Sequence, residues 1–307
     1  MIVINNLEEI KNIPPCSIAL GNFDGVHVGH QTLIRKAVEK ARELGINSAV
    51  FTFSNHPKNL FAGKNVVKNI IYQEEKAALI EKLGVDYLFN VPFTHEVARM
   101  NPMSFIDDLL VDKMNLREAF CGFNYRFGYK AAGNPHILRQ CGMVKGFNVN
   151  EIDPVTIEGD VVSSTLIRSL IRSGDMEECE KYLGRKYSVG GEVVVGNRLG
   201  RTIGFPTSNI MIDENMVTPP NGVYITKCVY NGHVYDSITN VGVKPTIGTF
   251  QKNMETHIFH FNKELYGKHI QVIFLKKTRD EAKFRSVEEL SAQIVKDCEE
   301  AKAYHGL

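Results

Sequence analysis

The stretch SIALGNFDGVHVGH, from Ser17 to His30, decides how the first half of this chain is read. Ser17 to Gly21 is a short apolar run fit for a buried strand, Gly21, Gly25 and Gly29 punctuate a turn, and Gln31 to Leu44 carries apolar residues at helical spacing. Strand, glycine-rich turn and helix in that order mark the place where open parallel sheets bind ligands, beyond the carboxyl end of a strand. The glycines let backbone approach a phosphate chain closely, and a helix N-terminus favours anions. His27 and His30 are spaced so that both can hydrogen-bond phosphate oxygens as charge develops on them. The loop has no G-K-[ST], so it is not a Walker A element, and the histidine pair lacks the H-E-x-x-H pattern of a zinc site.

Outward from this loop, the same alternation continues. Asn47 to Phe53, Val85 to Val91 and Glu118 to Gly122 read as strands; Gln73 to Leu83 and Met103 to Met114 read as helices, and another helix starts near Ser164. Strands alternating with helices of this length predict an α/β fold with a doubly wound parallel sheet. Past Gly184 the texture changes to short β-rich runs, Tyr187–Val195, Gly222–Tyr230, His233–Val241, Glu255–Phe261 and His269–Leu275, separated by Gly, Asn and Pro. That spacing predicts an antiparallel barrel or sandwich. A final amphipathic helix, Val287 to Tyr304, is expected to turn Leu290, Ile294, Val295 and Cys298 toward it. The expected domains are therefore 1–184 and 185–307, in keeping with 307 residues at roughly 150 per domain.

Charge and composition exclude several classes. Lys and Arg number 36 against 35 Asp and Glu, a net charge of +1, which argues against a dedicated nucleic-acid binder. Hydrophobic residues at 43% and charged residues at 23% belong to a folded chain, not a disordered one. No apolar run is long enough to span a bilayer, and Met1 to Pro15 lacks the basic start and apolar centre of a signal peptide. The six cysteines are scattered without a C-x-x-C pair, as expected for buried reduced thiols. A cytoplasmic protein with small-molecule partners, and neither nucleic acid nor membrane among them, is the expectation.

Two further elements bear on chemistry. Ser163-Ser164-Thr165-Leu166-Ile167-Arg168 puts hydroxyls at a helix start and an arginine one turn in, an arrangement that is either an ordinary N-cap or a grip on polyphosphate. Gly196 to Asn209 (GNRLGRTIGFPTSN) is a glycine-punctuated loop that is either a hairpin connection or a phosphate cradle.

Taken together, H-x-G-H near the N-terminus and S-S-T-x-I-R far downstream resemble the nucleotidyltransferase superfamily. The fuller string GNFDGVHVGHQ, with EKAALIEKLGVDY (residues 75–87), PFT (92–94) and FNYRFG (123–128), resembles the FMN adenylyltransferase half of the prokaryotic bifunctional riboflavin kinase/FAD synthetases. The resemblance implies that Gly21, Asn22, Phe23, Asp24, His27, His30, Ser164, Thr165 and Arg168 bind ATP, with His27, His30 and Arg168 catalytic. It places the flavin near Asn124, Tyr125 and Arg126. The implied chemistry is in-line attack of the FMN phosphate on the α-phosphorus of ATP, expelling pyrophosphate with Mg²⁺ assisting. The chain departs from the family where F-D-P-H-P is usual and Phe53-Ser54-Asn55-His56-Pro57 stands, and where Asn124 replaces an acid.

The second half carries Asn221-Gly222-Val223-Tyr224, Asn240-Val241-Gly242-Val243-Lys244-Pro245-Thr246, Glu255-Thr256-His257-Ile258, Leu265-Tyr266-Gly267-Lys268 and Arg279-Asp280-Glu281-Ala282-Lys283-Phe284, in that order. This set resembles the riboflavin kinase module and implies a six-stranded antiparallel barrel. It also implies ATP binding by Gly196, Gly200, Gly204, Pro206, Thr207 and Asn209. Thr207 and Asn209 would hold Mg²⁺, and Glu255 would serve as the base that takes the ribityl hydroxyl proton. His260 stands where the family more often has Asp. The expected activity is phosphorylation of riboflavin to FMN and adenylylation of FMN to FAD. A paralogue keeping one of the two activities, and a non-catalytic flavin-sensing regulator, stay open on the sequence.

Overall fold

The computed structural model describes residues 1–196, 204–246 and 249–307, which fall into two units, Met1–Ser164 and Thr165–Leu307. In the first unit six strands form one sheet: β1 (Ile2–Ile4), β2 (Cys16–Leu20), β3 (Asn47–Phe53), β4 (Tyr87–Val91), β5 (Leu116–Gly122) and β6 (Asn148–Ile152). Their spatial order is β1-β4-β3-β2-β5-β6, and every pairing is parallel. All five residues of β2 are buried, as a central strand covered on both faces requires. Ile18, Leu20, Phe51, Phe89, Leu109 and Leu116 are among the residues of the core beside it.

Helices α1 (Val28–Leu44), α2 (Pro57–Ala62), α3 (Gln73–Lys82), α4 (His95–Arg99), α5 (Pro102–Ser104) and α6 (Pro135–Lys145) connect these strands. Helix α5 runs directly into a π-helical stretch, Phe105–Lys113, which buries Phe105, Ile106, Leu109 and Leu110. A short hairpin, β7 (Thr156–Ile157) with β8 (Asp160–Val161), follows. Helix α1 starts earlier than the apolar spacing suggests, because the His27 side chain caps it by accepting from the His30 N–H.

The second unit opens with α7 (Ser164–Ser173), whose first residue ends the first unit, and α8 (Met176–Leu183). The division thus falls before the change in sequence texture at Gly184. Six strands follow: β9 (Ser188–Val194), β10 (Ser208–Met211), β11 (Gly222–Tyr230), β12 (His233–Thr246), β13 (Thr249–Ile258) and β14 (His269–Asp280). They close into an antiparallel barrel in the order β10-β13-β12-β11-β14-β9, with β9 pairing back to β10. Between β11, β12 and β13, four fully buried hydroxyls satisfy one another: Thr226 bonds Ser237 and Thr239 at 2.8 Å each, and Thr239 bonds Thr256 at 2.9 Å.

The last helix, α9 (Val287–His305), sets Cys298 and Ala301, with Ile294 beside them, against Val223, Ile225, Ile238, Phe259 and Leu275. Val295, expected on this face, is 40% exposed. The seam follows 294, 298 and 301, which turns 295 toward solvent. The turn between Cys298 and Ile294 carries buried Asp297, which receives three hydrogen bonds from the Arg279 guanidinium, Nε at 2.9 and 3.1 Å and Nη2 at 2.7 Å, and one from Gln293 at 2.8 Å. All six cysteines are free and buried, and burial first of all pushes the thiols of Cys16, Cys121, Cys179 and Cys228 up to about 12.

Asp297 is buried and Arg279 half-buried, so removing the carboxylate takes the ion-pair partner from a guanidinium that is only partly in water. Asp297→Ala should therefore destabilise the barrel unit by about 3 kcal/mol, read as a lower urea midpoint for the loss of barrel circular dichroism. A midpoint unchanged from wild type would show that Arg279 and α9 are held by apolar contacts alone.

Candidate active sites

The first site forms where the strand order reverses. The chain fills the β3 side of β2 before crossing to the β5 side, so the crevice beyond the carboxyl ends of β2 and β5 is the switch point. Two of the expected residue groups leave the sheet there: Gly21–His30 after β2, and Asn124, Tyr125 and Arg126 after β5.

The loop after β2 is strained. Phe23, Gly25 and Val26 have φ of 48°, 86° and 40°, and a β-branched residue such as Val26 in that region costs roughly 1–3 kcal/mol. Its neighbours hold it there. Thr52 Oγ1 donates to the Asn22 carbonyl at 2.8 Å, and Gln31 Nε2 donates to the Val26 carbonyl at 3.0 Å. Ile70 N–H donates to both oxygens of the Asp24 carboxylate at 3.0 and 3.2 Å. Ser164 Oγ donates to the Asp24 carbonyl at 2.9 Å, so this hydroxyl ties down the loop. At Gly25 a Cβ would meet the Ile70 side chain at 3.0 Å, and the φ alone demands glycine.

His27 is buried, and its Nδ1 accepts from the His30 N–H at 3.2 Å. A neutral ring that accepts at Nδ1 carries its proton on Nε2. The rings of His27 and His30 stack with centroids 3.5 Å apart, and the buried Phe23 meets His30 edge-on at 5.2 Å. Thr165 and Arg168 belong to the second unit, in α7, where Arg168 is buried.

Across the switch point, Asn124 and Arg126 are exposed while Tyr125 is half-buried. Tyr125 stacks on Phe127 at 5.6 Å, and burial first, then Cys121, holds its phenol well above the usual range. The departures from the family pattern are built into this fold. Asn55 donates to the Phe93 carbonyl at 3.0 Å and accepts from the Phe93 N–H at 2.7 Å. Ser54 N–H donates to Val91, and His56 caps α2 ahead of Pro57.

A residue not singled out in the sequence reading stands under this edge of the sheet. Lys76 is buried, and its Nζ donates to the Phe53 carbonyl at 2.8 Å. Burial pushes its pKa down to about 8, against the pull of Asp24. The signal was available: Lys76 and Ile80 are one turn apart, so a lysine shares the apolar face of α3.

The second site is set by strand register. Asn209 of β10 lies opposite Val194 of β9 on one side and opposite Glu255 of β13 on the other, and Glu255 lies opposite Asn240 of β12. Residues directly opposed in a sheet share a face, so Asn209, Glu255 and Asn240 form one polar row. Asn253, two residues before Glu255, is 2% exposed, and its amide donates to Glu255 at 3.4 Å and to Asn209 at 3.5 Å. The period-2 rule puts it on the Glu255 face, although the sequence reading passed over it. At Gly196 a Cβ would lie 2.4 Å from the Asn209 amide.

Gly196, Pro206, Thr207 and Asn209 line a cleft together with Lys263, Glu264 and Tyr266, three residues the sequence reading did not assign. Gly204 stands at φ 85°, and Gly200 lies outside the described residues. His260 takes φ 55°, a backbone region in which His, like Asp and Asn, is enriched.

Comparison with known proteins matches the chain in two stretches. A family model for FAD synthetase matches residues 9–166, and one for riboflavin kinase matches residues 183–305. The chain is 37% identical to the bifunctional riboflavin kinase/FMN adenylyltransferase of Haemophilus influenzae, over 94% of each chain. It is 36% identical to that of Bacillus subtilis, over 97% of this chain and 93% of the relative, and 33% identical to that of Escherichia coli K12, over 100% and 99%. A crystal structure from Streptococcus pneumoniae, described as a macrolide-efflux protein, matches with a TM-score of 0.89 at 31% identity over 98% of both chains. Among the described residues of the present chain, no helix is long and apolar enough to cross a membrane.

Lys76 gives a pH test of the first site. Its folded pKa lies below the value of about 10.4 for a free lysine, so the unfolded chain binds more protons between those values and stability rises with pH across that window. Urea unfolding from pH 7 to 10.5 should show wild type gaining on Lys76→Met by about 3 kcal/mol as pH climbs from 8. A difference between the two proteins that stays flat with pH would mean that Lys76 is not buried as a charge.

Proposed function

The chain belongs to the bifunctional riboflavin kinase/FMN adenylyltransferase family, and we propose how its residues divide the two reactions. The protein phosphorylates riboflavin to FMN with ATP and then adenylylates FMN to FAD, releasing pyrophosphate. The functional division falls at 184/185, near the start of the riboflavin kinase match.

In the first unit the FMN phosphate oxygen attacks the α-phosphorus of ATP as the bond to the β-phosphate oxygen breaks. No protein nucleophile is needed; positioning and charge stabilisation lower the barrier. The observation that supports this assignment is the capped helix start: His27 Nδ1 accepts from the His30 N–H, which puts the ring's proton on Nε2 and both histidines at the N-terminus of α1, where an anion is favoured. Gly21, Asn22, Phe23, Asp24, His30 and Ser164 complete the ATP contacts of the first unit, and the family resemblance assigns Thr165 and Arg168 to ATP as well. Asn124 and Arg126 present their side chains to the flavin, and Tyr125 backs them from the core.

In the second unit Glu255 takes the proton from the ribityl hydroxyl as that oxygen attacks the γ-phosphorus and ADP departs. The opposition of Asn209 and Glu255 across β10 and β13 supports this assignment. Thr207 and Asn209 offer neutral oxygens to one cleft, and among the described residues no cluster of three His, Cys, Asp or Glu could hold a metal. Neutral hard oxygens suit a Mg²⁺ ion that arrives already bound to nucleotide phosphates, and the ion supplies charge neutralisation there. Gly196, Gly204 and Pro206 shape the phosphate loop, and the resemblance assigns Gly200 to ATP binding as well.

Two variants separate the sites. Glu255→Gln should cut FMN formation by on the order of 10²–10⁴-fold while adenylylation of supplied FMN persists. His30→Ala should lower FAD synthesis by on the order of 10²–10³-fold while the kinase reaction stays near wild type. Chromatography of the flavin products reads both. Loss of both activities in either variant, or of neither, would overturn the division.

A further inference from the structure

Two residues beyond Glu255 on the same face of β13 stands a histidine whose ring is already committed. His257 Nδ1 lies 2.8 Å from the Pro206 carbonyl oxygen. A carbonyl oxygen only accepts, so Nδ1 carries a hydrogen. Burial, opposed by the Pro206 bond and aided by Lys302, holds the His257 pKa below its ordinary value, so the ring is the neutral Nδ1–H tautomer near pH 7. Phe205 and Phe259 meet the ring edge-on at 5.6 and 5.5 Å and fix its orientation.

The partner of this bond matters as much as the donor. Pro206 has no N–H, so its carbonyl is the one backbone group by which it can be hydrogen-bonded. Strand β10 begins only at Ser208, so Pro206 and Thr207 lie ahead of the ladder. The register pairs Ser208 with Thr256 and Asn209 with Glu255; continued by one residue, it brings Thr207 level with His257. The imidazole therefore joins the strand bearing Glu255 to the residue immediately before Thr207.

We propose that His257 is a positioning residue of the kinase reaction: its Nδ1–H holds the Pro206 carbonyl and thereby sets Thr207, and the nucleotide phosphates, at the correct distance from Glu255. This rests on the kinase reading given above. His257 touches no reacting atom in this account. Its loss loosens one side of the site, and misplacement by an ångström at a site of this kind costs up to about 100-fold.

Three variants of the full chain test it. His257→Asn keeps a donor on Cγ, where Nδ1 is attached. His257→Gln moves the donor one bond further out. His257→Phe keeps the ring volume between Phe205 and Phe259 but donates nothing. FMN formation is measured at varied ATP and varied riboflavin, with riboflavin binding followed separately by fluorescence quenching.

The expected result is that His257→Asn stays within about 3-fold of wild type while Gln and Phe lose about 10- to 100-fold in kcat/KM for ATP, with riboflavin affinity unchanged. Equal activity in all three variants would overturn the inference. So would equal loss in all three together with loss of riboflavin binding, which would make His257 a plain packing residue. A wild-type protein that forms no FMN would remove the kinase reading and this inference together, whereas active wild type with unaffected variants removes the inference alone.

Discussion

Asp24 accepts hydrogen bonds at both its carboxylate and its main-chain carbonyl, and the loop after β2 depends on them. The carboxylate takes the Ile70 N–H and the carbonyl takes the Ser164 hydroxyl, while the residues on either side, Phe23, Gly25 and Val26, sit at positive φ. Left to itself this backbone would relax out of the left-handed region. Holding it there sets His27 as the cap of α1 and stacks it on His30. The groups that enforce the strain come from residues 52, 70 and 164, far apart in the chain. The site is thus a property of the folded sheet and not of the local motif, although the motif is what the sequence displays.

The second unit reaches the same end by a different route. Its polar row of Asn209, Glu255 and Asn240 needs no strained loop, because antiparallel register alone places the three side by side. Closure of the barrel fixes that register, since a slip of one residue would exchange the polar row with the apolar and hydroxyl set of Met254, Thr256 and Ile258. Helix α9 adds a further constraint. It covers Val223 and Phe259 on the face that carries Glu255 and His257, and its Asp297 pins Arg279 at the end of β14. Sites carried on strands are held more rigidly than sites on loops, and Glu255, the proposed base, is on β13 while Pro206 and Thr207 precede β10.

Much of this was legible in the sequence, for physical reasons that also explain the gaps. Asn47–Phe53 and Gly222–Tyr230 were bounded correctly because a central strand buried on both faces, or half-buried beside a turn, displays its period directly. Strands β1 and β6 were not foreseen: one has three residues, and the other, Asn148–Ile152, is an edge strand of mixed polarity with no residue fully buried. Strand β10 hid behind the glycine-rich loop that precedes it. Gly25 and Gly196 were read as phosphate-loop glycines, and the structure adds that each has a neighbour where its Cβ would be. The bonds made by Lys76 to Phe53 and by His257 to Pro206 join residues 23 and 51 positions apart, and no local pattern carries such information. Val295 failed because the buried seam of α9 runs along 294, 297, 298 and 301, and successive residues are turned about 100° around the helix, which leaves 295 outside it.

On the reading proposed above, one chain holds two nucleotide sites, which cleave ATP at different phosphorus atoms. Incubating the purified protein with riboflavin and Mg-ATP labelled in turn at the α- and γ-phosphorus, and then separating the flavins, tests it directly. The account predicts γ-label in FMN and in FAD, α-label in FAD alone, and release of both ADP and pyrophosphate. Flavin that carries γ-label but never α-label would leave a kinase only, and flavin with neither label would contradict the account in both halves.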